Sequence, residues 1–327
     1  MLPRLGPAAP GPGVTTLARP GDRRHLLTMS DPAHLVFDRR LVRLRRDRAA
    51  ATGDRVAPIL DAVAERLLDR LDDTTRRFDR ALEIGGRGRV APVLRARGAG
   101  LVVSADLAPR LAAVAGGAPV AMDEEWLPFA PGSFDLVVAF LSLHWVNDLP
   151  GALAQLRRAM APDGLFLAVL PALGTLQPLR EALATAEAAL RGGAAPRVSP
   201  FPDLRDGAAL LQRAGFALPV ADAEDVALTY RDPLALLRDL RAAGEGNAVR
   251  RRDPRIPPRA LFPAALAGLA PGPEGVPVTL RLLTLTGWSP GPDQPRAARP
   301  GSATARLADA LGAEEGRLGE PAAPRRH

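Results

Sequence analysis

Short apolar runs and helical stretches alternate along most of this chain. From Asp31 the spacing predicts a basic helix through Phe37-Asp38-Arg39-Arg40 to Arg48, with Asp31 and Pro32 at the cap and first-turn positions. A second helix runs from Arg55 to about Leu71, where Val56, Ile59, Leu60, Val63, Leu67 and Leu68 form one packing stripe. Ala81 to Ile84 then reads as a first strand ending at Gly85-Gly86, Arg89 to Ala96 as a helix, and Gly100 to Ala105 as a second strand ending at Asp106. A short helix from Pro109 to Val114 and a third strand from Pro119 to Met122 follow. Phe134 to Phe140 (FDLVVAF) is apolar almost throughout, as a strand covered on both faces must be. A helix from Leu149 to Met160 passes through the turn Pro162-Asp163-Gly164 into a fifth strand, Leu165 to Leu170. Strands alternating with helices imply a parallel α/β sheet.

The second half keeps the class but loses regularity. Helices are expected from Leu176 to Leu190, from Asp206 to Ala214, and from Pro233 to Ala243 behind the cap Asp232, with a strand near Val226 to Tyr230. Val276 to Thr286 is a long last strand, and a short Ala-rich helix spans Ala303 to Leu311. The expected organisation is a disordered or over-long start at 1–30, with Met29 as the true beginning, N-terminal helices at 31–75, one domain with inserted helices at 76–289, and a flexible tail at 290–327. The Arg-bearing start also has features of an organellar transit peptide, but it lacks the apolar core of a secretory signal, so the expected location is the cytoplasm.

Composition narrows the classes. The 327 residues carry no cysteine, which removes disulfide frameworks, iron–sulfur sites, thiolate zinc sites and cysteine nucleophiles. No apolar run approaches the roughly 20 residues of a membrane span. All 43 basic residues are Arg, a coding bias rather than arginine chemistry. The net charge of +7 sits at the ends: residues 1–50 hold +6, residues 290–327 hold +1, and the middle is neutral. With aromatics at 4%, a basic nucleic-acid-binding face is not expected on the folded part, and the basic helix reads as a solvated face.

Candidate chemistry begins where the first strand turns into a helix, at Glu83-Ile84-Gly85-Gly86-Arg87-Gly88. Glycines there let backbone N–H groups approach a ligand, and a helix N-terminus favours negative charge. Asp106, twenty-one residues after Gly85, ends the second strand, where a carboxylate can accept both ribose hydroxyls of an adenosine. Together they point to an adenosine-containing cofactor, with NAD and S-adenosylmethionine both open; the alternative is a glycine turn needed for packing alone.

The stretches Asp123-Glu124-Glu125-Trp126-Leu127-Pro128-Phe129, Gly132-Ser133-Phe134-Asp135 and Leu143-His144-Trp145-Val146-Asn147-Asp148 resemble the class I S-adenosylmethionine-dependent methyltransferases. Adding Phe37-Asp38-Arg39, Ser199-Pro200-Phe201, Leu210 to Phe216, Arg238 to Arg241 and Leu285-Thr286-Gly287-Trp288, the chain is similar to the bacterial relatives of respiratory complex I assembly factor 5, an arginine hydroxylase, and beyond them to the malonyl-carrier-protein methyltransferase of biotin synthesis. The resemblance implies a Rossmann-like class I methyltransferase fold with a helical N-terminal extension and C-terminal helical insertions. It implies S-adenosylmethionine held by Glu83, Gly85, Gly86, Gly88, Asp106, Leu107, Asp123, Glu124 and Phe140, with Asp123 or its neighbour Glu124 facing the adenine amino group. It also implies a protein or small-molecule acceptor, such as a complex I subunit; a non-catalytic assembly scaffold and carrier-protein carboxyl methylation are the alternatives.

Two departures stand out. The family's alternate glycines fall here on Gly85, Arg87 and Arg89, so either Gly85, Gly86 and Gly88 serve, or two Arg side chains stand beside the cofactor. The turn Ala172-Leu173-Gly174-Thr175 lacks a carboxylate that the family pattern carries. His144 and Trp145 follow the fourth strand and are the catalytic candidates, Trp145 as a pocket wall and His144 as acceptor-orienting group or base, against the alternative of a packed aromatic pair. No metal is expected, because a two-histidine site would need His34 to reach His144. Trp288 is expected to pack the end of the last strand, and Gly192 to Asp206 to be a lid or ordinary surface.

Overall fold

The apolar runs become one seven-stranded sheet in the computed structural model, which describes residues 35–292, 294, 305 and 307–313. The strands are β1 (Arg80–Ile84), β2 (Leu101–Asp106), β3 (Ala118–Ala121), β4 (Phe134–Phe140), β5 (Met160–Pro171), β6 (Ala217–Tyr230) and β7 (Val276–Trp288), in the order β3-β2-β1-β4-β5-β7-β6. The first five are parallel; β7 runs antiparallel to both β5 and β6. The order reverses between β1 and β4, and such a switch point opens a crevice beyond the strands' C-terminal ends. This is the Rossmann-like fold expected of a class I methyltransferase.

Ten helices accompany the sheet among the described residues: α1 (Arg39–Ala49), α2 (Ala57–Leu68), α3 (Ala91–Ala96), α4 (Pro109–Val114), α5 (Leu149–Ala159), α6 (Gln177–Arg191), α7 (Leu204–Arg213), α8 (Pro233–Ala242), α9 (Leu261–Ala267) and α10 (Leu307–Leu311). Alternate residues of β4 and β5 enter two separate cores. Val137, Ala139, Phe166, Ala168 and Leu170 pack with Leu153 and Leu156 of α5 and Leu211 of α7. Leu136, Val138, Phe140, Leu165, Leu167 and Val169 pack with Leu60, Val63, Leu67 and Leu94 of α2 and α3. Side chains of a strand point alternately to opposite faces, so a sheet covered on both sides needs an unbroken apolar run. A smaller core joins α6, α8 and α9 to the start of β7 through Leu183, Leu236, Leu261 and Val278.

Several expectations are corrected. The basic helix starts at Arg39, where the Asp38 side chain accepts the Leu41 N–H, and not at Asp31; Asp31 and Pro32 lie outside the described residues. Its arginines are not one solvated face, since Arg46 is only 1% exposed. The second helix is continuous only over Ala57–Leu68, with single 3-10 turns on either side. Strand β6 begins at Ala217, nine residues before the expected Val226, because its first half is an edge strand with exposed Leu218 and Val220 and acidic Asp222, Glu224 and Asp225. Asp222, Glu224 and Asp225 pair with Arg70, Arg66 and Arg281. Helix α9 was not expected, and of the expected Ala303 to Leu311 helix the described residues include Leu307–Leu311, Ala303, Thr304 and Arg306 lying outside them. Trp288 packs at the end of β7 opposite Leu165, as expected. The expected start at 1–30 and most of the expected tail lie outside the described residues.

Candidate functional site

The crevice is built from the C-terminal ends of β1, β2 and β4. Beyond β1 the chain turns through Gly85 at φ 76°, Arg87 at φ 50° and Gly88 at φ 80°. A Cβ on Gly85 would stand 2.5 Å from the Phe140 carbonyl oxygen, and one on Gly86 would strike the Glu83 carboxylate, so both glycines are required by close approach. Glu83 is fully buried, and its carboxylate oxygens make no hydrogen bond of good geometry among the described residues, with the Ser104 hydroxyl and the Gly86 N–H as its nearest donors. Burial pushes its pKa up from 4.5 to about 7, outweighing the lowering pull of Ser104 and Gly86, and Asp106 adds a nearby like charge. Beyond β4, Leu141 at φ 45° is a second non-glycine residue held in the left-handed region, a strained conformation of the kind that collects at functional sites.

Three carboxylates line the adjoining strand ends, and two arginines of α1 hold them. Asp106, at the end of β2, receives Arg46 Nε at 3.2 Å and Nη2 at 2.6 Å, while Arg46 Nη1 donates to the Leu141 carbonyl at 3.1 Å. Burial opposes charge on Arg46, but the facing Asp106 overrides it and holds its pKa above the ordinary arginine value. Two turns earlier on the same helix face, Arg39 Nη2 donates to Asp123 Oδ1 at 2.7 Å and to the Glu124 carboxylate. Glu124 is fully buried, and burial raises its pKa against the opposing pull of Arg39 and Arg46. The start of α1 is fastened down by the Phe37–Val249 bridge and by Asp38 N–H donating to the Ala248 carbonyl at 2.8 Å. Phe37, Val42, Trp145, Ala248 and Val249 form a small apolar cap there, with Leu107 packed against it.

The His144/Trp145 pair centres on a residue the sequence did not single out, Glu245. Its Oε2 lies 2.9 Å from His144 Nε2 and accepts Trp145 Nε1 at 2.9 Å; its Oε1 accepts Arg87 Nη2 at 2.7 Å. Burial alone would raise the Glu245 pKa, but the His144 hydrogen bond and the Arg87 and Arg46 guanidiniums hold it far below the usual range. Burial drives the His144 pKa down from 6.5, with Glu245 opposing and Arg46 and Arg87 reinforcing, so the ring is neutral at neutral pH. An ionised carboxylate only accepts, so the imidazole proton sits on Nε2 and Nδ1 keeps its lone pair. Nδ1 is buried with no hydrogen-bond partner among the described residues. The Gly192 to Asp206 excursion borders this end: Phe201 lies 6.3 Å from the His144 ring, and Arg180 ties down the Val198 and Ser199 carbonyls.

The structure therefore brings Glu83, Gly85, Gly86, Asp106 and Glu124 together, all buried, at the C-terminal ends of the strands, with Asp123 joined to them through Arg39 and the buried His144 and Trp145 joined through Glu245 and Arg87; Gly88 is half-buried at the end of the turn. Phe140 is different, because its ring lies in the α2/α3 core and only its carbonyl borders the loop. Of the two loop arginines, Arg87 turns inward to Glu245 and the Ala243 carbonyl, whereas Arg89 points out to Asp61. Thr175, in the carboxylate-free turn, exchanges hydrogen bonds with the Arg281 backbone and serves structure. Arg39, Arg46 and Glu245 were missed. The signal for the arginines was available, since Arg39 and Arg46 are seven residues apart and share a helix face with Val42. Among the described residues no His/Cys/Asp/Glu group has metal-holding geometry, and no helix is long and apolar enough to cross a membrane.

A family model described as a methyltransferase domain matches residues 82–168, the segment from β1 into β5. The chain is 35% identical over 288 residues to the arginine-hydroxylase NDUFAF5, mitochondrial, of Danio rerio, a match covering 84% of this chain and 89% of that protein. Against the protein of the same name from Rattus norvegicus it is 34% identical over 330 residues, covering 94% and 95%. Against the malonyl-[acyl-carrier protein] O-methyltransferase of Halorhodospira halophila it is 36% identical over 279 residues, covering 80% and 91%.

Proposed function

The chain belongs to the class I methyltransferase-fold family that includes these arginine-hydroxylases and carrier-protein methyltransferases, and on that premise we propose that it binds S-adenosylmethionine and modifies a protein acceptor at the His144 end of the crevice. The residue types at the strand ends support that cofactor, although Arg46 and Arg39 occupy their carboxylates in this arrangement. Gly85 and Gly86 form a buried turn without side chains and Gly88 a half-buried one, Asp106 ends β2, a position from which a carboxylate can receive a ribose diol, and Asp123 and Glu124 follow β3. When bound, the cofactor supplies a methyl group already activated by its sulfonium.

What the chain itself contributes is orientation and a proton acceptor. Glu245 fixes the His144 ring in one tautomer, and Trp145 and Phe201 wall the imidazole. A neutral imidazole with a free Nδ1 suits an acceptor that must lose a proton, such as a nitrogen or hydroxyl group, whereas a carboxylate acceptor needs no base. The observation that carries this reading is the Glu245–His144 pair joined to the glycine loop through Arg87, and it favours an acceptor that loses a proton over carrier-protein carboxyl methylation. We take the acceptor to be a subunit of respiratory complex I and the setting to be cytoplasmic, while the eukaryotic relatives are named as mitochondrial.

Calorimetric titration with S-adenosylmethionine or its demethylated product at high micromolar concentration tests the cofactor; absence of heat with both, in the parent and in Arg46→Gln, refutes it. Mass spectrometry of complex I subunits from a deletion strain tests the acceptor, through loss of a methyl or hydroxyl increment on one residue. If the Asp106→Asn variant restores complex I maturation fully, the chain acts as a scaffold and the catalytic reading fails.

A further inference from the structure

We propose that Arg46 and Arg39 are internal competitors of the cofactor: they hold the carboxylates that would receive the nucleoside, and binding requires their release. The proposal rests on the reading that Asp106 and Asp123–Glu124 face the nucleoside. Four observations support it. A carboxylate offers about four acceptor positions, and Asp106 has three filled, by Arg46 Nε, Arg46 Nη2 and the Ala108 N–H at 2.8 Å. A ribose diol needs two, so diol and guanidinium exclude one another. Arg46 Nη2 also lies 3.1 Å from where a Gly85 Cβ would stand, so the guanidinium closes over the buried glycine turn. The same helix blocks the second position, because Arg39 sits on both Asp123 and Glu124. Finally, α1 is held shut by contacts of its own: Phe37 N–H donates to Asn147 Oδ1 at 2.7 Å, Arg250 N–H to the Val36 carbonyl at 2.8 Å, and Ala49 packs on Gly244.

If the closed arrangement dominates, apparent affinity falls by the fraction of molecules that are open, and weakening the closed arrangement restores it. The probe is S-adenosylhomocysteine, titrated calorimetrically into the full chain and into Arg46→Gln, Arg39→Gln and Asp106→Asn, each checked for folding by thermal unfolding. Hydrogen exchange of the unaltered protein provides a measurement that needs no variant. The expected result is binding at least about tenfold tighter in Arg46→Gln, loss of binding in Asp106→Asn, and faster exchange of the 39–49 amides together with slower exchange of 83–88 when the probe is added. Equal or weaker binding by Arg46→Gln, or unchanged exchange over 39–49, overturns the competition while leaving the cofactor reading intact, provided Asp106→Asn still abolishes binding. No binding by any variant overturns both.

Discussion

Glu83 offers a direct test of the site's electrostatics, through the substitution Glu83→Gln. The carboxyl is fully buried at the end of β1 with neither oxygen in a hydrogen bond of good geometry, and burial raises its pKa from 4.5 to about 7. Between these values the folded protein keeps a proton that the unfolded chain has released. Stability contributed by this residue is therefore greatest below 4.5, falls as pH rises, and levels off above 7. The gap corresponds to roughly 3 kcal/mol, a large part of the ~5–15 kcal/mol that holds a typical domain together. Glutamine has nearly the same shape and cannot ionise. The variant should match the parent near pH 4.5 and be more stable by about 3 kcal/mol near pH 8. Urea unfolding of both proteins across this range measures the difference, and contributions from His144 and Glu245 cancel because both proteins carry them. A difference that stays flat with pH, or a variant less stable than its parent near pH 8, would refute the assignment of a buried, ionisable carboxyl with a raised pKa to this position.

Gly85→Ala should lower stability by about 2–4 kcal/mol, combining left-handed backbone strain with the Phe140 carbonyl contact, whereas Gly53→Ala, with nothing within 4 Å, should change it by less than about 0.5 kcal/mol; urea midpoints separate the two. Histidine-selective nitrogen-15 spectra should show His144 neutral with the proton on Nε2 at about pH 7, and a doubly protonated ring there would contradict its burial. Because the His144 pKa is depressed, its contribution to stability is present above 6.5 and is lost as pH falls through the folded value. Leu153→Ala, which empties the α5 side of the core, should cost about 2–5 kcal/mol in the same unfolding assay.

The central strands were legible because burial on both faces leaves a continuous apolar run; Phe134 to Phe140 was read to its end residues, and Leu165 to Leu170 forms the interior of β5. The crevice was legible for a related reason. Glu83, the glycines and Asp106 lie where strands end, and strand ends are the best-marked points of an alternating pattern. The first half of β6 was not legible, since an edge strand alternates weakly and carries charges whose partners come from α2, the turn after it, and β7. Glu245 was hidden differently. It follows the end of α8 in a segment without periodicity, and only the fold brings it to His144, a hundred and one residues away.

Helix α1 shows most clearly what a polar-versus-apolar reading conceals. Its buried face is Val42, Arg46 and Ala49, with Arg39 one turn earlier, so half of that face is counted as polar and the stripe disappears into a run of charges. A buried cation is tolerated only when a carboxylate meets it, and here the carboxylates lie sixty to eighty-five residues further along the chain. Composition alone says nothing about function here, because every basic residue is Arg. Yet the contact at Asp106 uses three separate guanidinium nitrogens, two on the carboxylate and one on the Leu141 carbonyl. A lysine ammonium is a single point of charge at the end of a flexible stem, and it cannot span that fork. A coding bias toward arginine thus supplies the one side chain able to bridge the end of β2 and the strained turn after β4, and that bridge is what a ligand entering the crevice must break.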